Sequence, residues 1–88
     1  MPIVSEFCGI KISMYSEANG KHHIPHVHAR VQDEEASVSL DGDVITGTIR
    51  GNKLRLVQAW LILRQKEVEE NWKRAEAGEK LLKIEPLK

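Results

Sequence analysis

The apolar residues of this chain change period once, at Gly51-Asn52, and that change sets what the chain can fold into. Before it, apolar and polar side chains alternate, the mark of half-buried strands. After it, Leu54, Val57, Leu61, Val68, Trp72 and Ala75 recur at helical spacing, and Leu56, Trp60 and Leu63 widen the stripe in the first half. At 88 residues there is room for a single domain, 1–88, with a thin core. The expected fold class is therefore α+β: a small antiparallel sheet of three to four strands, then one long C-terminal helix and an extended tail.

The strands follow from the alternation. Cys8, Ile10, Ile12 and Met14 alternate with polar residues in a first strand expected from about Ile3 to Tyr15. Asn19-Gly20 signals the turn after it. A second strand is expected from about Pro25 to Gln32, with Val27, Ala29 and Val31 on one face and His26, His28 and Arg30 on the other. After a turn at Asp33-Glu34, a third strand places Ala36, Val38 and Leu40 on one face and Ser37 and Ser39 on the other. Asp41-Gly42-Asp43 reads as a hairpin turn into a fourth strand, about Val44 to Ile49, with Gly47 as a candidate bulge. Asn52 is a good N-cap residue for a helix from about Lys53 to Ala77, which Gly78 ends. Such a helix is long, roughly 38 Å, with room for a kink near Gln65. Pro86 excludes helix in the tail, whose Leu81, Leu82, Ile84 and Leu87 are expected to pack on the body.

The formal net charge is zero, which disfavours a strongly basic nucleic-acid binder. The halves differ: residues up to Arg50 carry −3 and those from Gly51 carry +3, a split that suits packing on each other or on a second copy. Cys8, the sole cysteine, excludes an internal disulfide, and its apolar neighbours read as those of a buried thiol. No apolar run is long enough to cross a membrane, and the N-terminus does not read as a signal peptide. The expected location is the cytoplasm.

The chief chemical signal is the packing of all four histidines into Lys21-His22-His23-Ile24-Pro25-His26-Val27-His28. On a strand, His26 and His28 share a face, and two imidazoles there would hold a divalent transition metal if a third ligand arrived. His22 or His23 would supply it from the preceding loop, or one of Asp33, Glu34 and Glu35. The plain alternative is a polar strand face whose histidines bond to neighbours or water. General acid–base or phosphate-contact roles also suit imidazole. No nucleophile–base spacing and no Gly-rich phosphate loop is present. Trp60 reads as core. Trp72, on the charged half of the helix, reads as a contact for a partner.

Over nearly its whole length the chain resembles a small, mostly bacterial family known as domain of unknown function 4160. The resemblance rests on the strand Phe7-Cys8-Gly9-Ile10-Lys11-Ile12, the helix Leu54-Arg55-Leu56-Val57-Gln58-Ala59-Trp60 continuing to Glu70-Asn71-Trp72, and the tail Leu82-Lys83-Ile84-Glu85-Pro86-Leu87. A His-x-Pro-Pro-His-Phe-His type motif aligns with His22, His26 and His28, the three residues carried forward as metal ligands. Ile24 and Val27 replace the first proline and the phenylalanine, and Arg64 stands where the family often has a histidine. Members are often encoded beside a second small protein, in pairs resembling toxin–antitoxin modules. The resemblance thus implies an interaction module that pairs with itself or a second small protein; the histidine cluster, read as a polar contact surface, would also suit RNA. The competing class is a metal- or histidine-dependent enzyme acting on a phosphodiester or similar substrate. The residues do not decide whether a reaction is catalysed.

Overall fold

The computed structural model describes residues 3–15 and 24–87. It is an α+β fold in which five antiparallel strands, β1 (Ile3–Phe7), β2 (Ile10–Ser13), β3 (His26–Val31), β4 (Glu34–Ser39) and β5 (Val44–Thr48), follow one another in space as in sequence. Two helices, α1 (Asn52–Leu63) and α2 (Gln65–Glu76), and an extended tail complete it.

The expectation of three to four strands is corrected to five. The stretch read as one strand is a hairpin that folds back at Cys8-Gly9, with Phe7 opposite Ile10. Both turn residues have positive φ, 51° and 76°, as a two-residue type I′ turn requires. Alternation hides such a turn, because Ile10, Ile12 and Met14 keep their parity after it. Cys8 is exposed at the tip, which overturns its reading as a buried thiol. The Asn19-Gly20 turn lies outside the described residues.

Strands β3 and β4 keep the expected apolar faces, although His26 and Ser39, expected on the polar face, are buried as well. Val27, Ala29, Ala36 and Val38 are buried. The β4–β5 turn closes by Ser39 N–H to Asp43 O (2.8 Å) and Gly42 N–H to Ser39 O (2.9 Å). The bulge falls at Ile45 rather than Gly47, since Ser37 pairs with Thr46 and Val38 with Val44. Gly47 has a different task. Its φ is +79°, and a Cβ there would lie 2.2 Å from the Glu35 carbonyl oxygen.

The single long helix is corrected to two, divided at Arg64 (φ −110°, ψ 24°), next to the position marked for a kink. Backbone bonds still run across the division, Arg64 N–H to Trp60 O and Val68 N–H to Arg64 O, both 2.9 Å. Asn52 is the first helical residue rather than the cap. Gly51, at φ 72°, occupies the cap position and no side chain bonds there. The inward stripe runs through Val57, Trp60, Leu61, Val68, Asn71 and Trp72. It packs on Val4, Phe7, Ile10, Ile12, Met14 and the buried faces of β3 and β4 in one cluster. The Phe7 and Trp60 rings stack 5.8 Å apart.

The tail is extended, as Pro86 demands, and is held from two sides. Ile84 N–H donates to Val4 O on β1 (2.8 Å). Asn71, 1% exposed, grips Leu82 like a strand partner: its Nδ2 donates to Leu82 O (2.7 Å) and its Oδ1 accepts from Leu82 N–H (3.0 Å). Trp60 Nε1 donates to Glu85 O (2.8 Å). The opposite charges of the two halves are not joined by ion pairs among the described residues; each of the three pairs lies within one half. Instead Lys53 and Lys83 donate to backbone carbonyls of Cys8 and Ile3.

Candidate functional site

A meander with helices on one face leaves its other face to the polar half of each alternation. Here that face carries cross-strand rows read directly from the register. Lys11 lies opposite Arg30, and Arg30 opposite Glu35. Ser13 lies opposite His28, and His28 opposite Ser37. His26 lies opposite Ser39. Lys11, Ser13, His28, Arg30, Gln32 and Glu35 line a concavity of about 590 Å³.

The structure brings His26 and His28 together, their rings 5.0 Å apart at 74°. His28 Nδ1 lies 3.2 Å from Ser37 Oγ, and the His28 ring stacks on Tyr15 at 4.6 Å and 6°. His26 Nδ1 lies 2.7 Å from the Ile24 carbonyl oxygen. A carbonyl only accepts, so Nδ1 bears the proton, and in the neutral ring Nε2 carries the lone pair. The two histidines differ in burial. His28 is half-buried, whereas His26 is buried, its ring 5.3 Å from that of Trp72. His22 and His23 lie outside the described residues. Among the described residues no three His, Cys, Asp or Glu side chains are placed to hold a metal ion.

The acidic candidates disperse. Glu34 is taken by Arg50, whose Nε donates at 2.7 Å and whose backbone N–H donates at 3.2 Å. The side-chain bond first, then the backbone bond, holds the Glu34 carboxyl below the usual range. Asp33 sits exposed in the β3–β4 turn, and Glu35 faces Arg30 rather than the histidine pair. Arg64 is half-buried, its Nη2 donates to Pro86 O (3.3 Å), and it is spent on the tail.

Trp72, read as a partner contact, is placed in the core at 7% exposure. The half whose charges read as solvent-facing still turns one side inward, because Val68, Asn71 and Trp72 form a narrow buried line. On the helices, the large apolar residues that do face outward are Ile62 and Leu63, 75% and 62% exposed, just before the Arg64 division. Leu63, expected in the core-facing stripe, points to solvent instead. Sequence reading also passed over Asn71 and Tyr15. The parity of Lys11 and Arg30 on neighbouring strands was a signal for the basic row, once the register was known.

These features define a small α+β fold: a sheet covered on one side, a divided helix, and two adjoining histidines, His28 at the polar face and His26 buried against α2. The chain belongs to the family described as a domain of unknown function (DUF4160), whose profile matches residues 9–73. No curated protein and no solved structure matches it. Among the described residues, no helix is long and apolar enough to cross a membrane.

Proposed function

We propose that this protein is an interaction module that pairs with a second copy of itself or with a second small protein, in a toxin–antitoxin-like system. The observation that carries this reading is the pair Ile62 and Leu63. Two large aliphatic side chains stand side by side, mostly exposed, on a helix whose other face is committed to the core. Adjacent apolar groups at this exposure gain from being covered, at about 25 cal/mol per Å² buried. The family resemblance supports the version with a distinct partner. The test is light scattering after size exclusion, at tens of micromolar, on the wild type and on a variant carrying Ile62→Asp with Leu63→Asp. A wild-type dimer that the double variant converts to monomer is expected. A wild-type monomer rejects self-pairing, and the same two substitutions then decide whether co-expressed partner is lost.

A second reading, a metal- or histidine-dependent enzyme, is favoured by one observation. The His26 Nδ1–H bond to a backbone carbonyl orients Nε2 as a ligand, the outer-shell arrangement of many metal-binding imidazoles. His22 would join His26 and His28 as the third ligand. This reading expects zinc, nickel or manganese to raise the melting temperature of untagged protein, and His26→Gln with His28→Gln to remove the rise. No shift with any of the three ions rejects it.

A further inference from the structure

We propose that the concavity on the open face of the sheet is a binding site for a small phosphorylated ligand of about mononucleotide size. This goes beyond pairing through α1, and it uses the other side of the molecule.

The argument starts from a cross-strand contradiction. Lys11 and Arg30 are direct partners across β2 and β3, on the same face. Like charges placed directly opposite destabilise a sheet unless something neutralises them. Among the described residues neither cation makes an ion pair within 4.0 Å, although Glu35 is the next residue in the row. Two cations with no anion between them line the same recess as Ser13 and His28. The Arg30 guanidinium, the Lys11 ammonium and the Ser13 hydroxyl together form a donor set for phosphate oxygens, beside the His28 ring, whose Nδ1 is engaged by Ser37. The recess, about 590 Å³, falls in the range of small-molecule sites, and the absence of a Gly-rich loop matters little because the donors here are side chains.

Glu35 sets the orientation. A carboxylate repels a phosphate, so the phosphate belongs on the Lys11 side of Arg30, toward Ser13 and His28. Glu35 and Gln32 are then left to accept from or donate to hydroxyl and amine groups on the rest of the ligand.

Isothermal titration at low salt, with inorganic phosphate, pyrophosphate and ADP as probes, tests the proposal. Binding of at least one probe is expected, weakening with added salt. Lys11→Gln with Arg30→Gln should weaken it by about tenfold or more, whereas Arg55→Gln, an exposed cation on α1, should leave it unchanged. Both cations of the pair are exposed, so the fold should survive the change, which circular dichroism checks. No heat with any probe overturns the proposal. So does an equal loss in the Arg55 variant, which marks unspecific charge, or binding of single-stranded RNA with none of the small probes. Because the readout is ligand heat rather than mass, its failure is separable from failure of the pairing reading.

Discussion

Gly47 and Cys8 show how much a single backbone position governs here. At Gly47 a Cβ meets the Glu35 carbonyl at 2.2 Å, at a positive φ, so Gly47→Ala is expected to cost at least about 2 kcal/mol in urea unfolding. Gly78 shares the positive φ but has nothing within 4 Å, and Gly78→Ala should cost only about 1 kcal/mol. Cys8 bears the left-handed strain without glycine's freedom, so Cys8→Asn is expected to raise the unfolding midpoint. Glu34 adds a pH term. Its carboxyl is held below its ordinary value in the folded state, so its contribution is complete above the unfolded value, about 4.3, and is lost as pH falls through the lowered one. The stability gap between wild type and Glu34→Gln should close across that acid window, as urea titrations at stepped pH would show.

The tail and α2 depend on each other. Asn71 satisfies both backbone groups of Leu82 from a buried position, so Asn71→Ala leaves a partly buried donor and acceptor without that partner. The expected loss is about 1–3 kcal/mol, with faster hydrogen exchange at Leu82 and Ile84. Trp72 acts at the same scale. As a core residue packed on His26, Trp72→Ala should cost about 3–5 kcal/mol in chemical denaturation and leave the oligomeric state to Ile62 and Leu63. The same contact separates the histidines: His26→Gln should destabilise more than His28→Gln, since only the former is buried against α2.

The whole molecule has two working sides. Helices and tail cover one face of the sheet, leaving the row Lys11–Arg30–Glu35 and His28 on the other, while His26 packs against Trp72 of α2. The two outer strands are managed differently. On β1 the tail supplies a backbone bond at Val4, while β5 is broken by the bulge at Ile45 and the positive φ of Gly47, irregularities that discourage edge-to-edge pairing. The proposed pairing through α1 would use neither outer strand. It would leave the polar recess open in each copy.

The sequence by itself determined the change from sheet to helix at Gly51-Asn52, the parity of Val27, Ala29, Ala36 and Val38 on β3 and β4, and the extended tail. Each depends on a period or a backbone restriction that acts locally. Tertiary structure decided the rest. Whether alternation meant one strand or a hairpin turned on the φ angles of Cys8 and Gly9, which no usual turn pair announced. Whether Trp72 or Leu63 faced outward depended on the line the helix follows past Arg64, and a 3.6-residue period sustained over two dozen residues does not fix that line. The pairing of Lys11 with Arg30 needed the register of two strands whose connection is long. Charge rows across a sheet exist only once the strands are side by side.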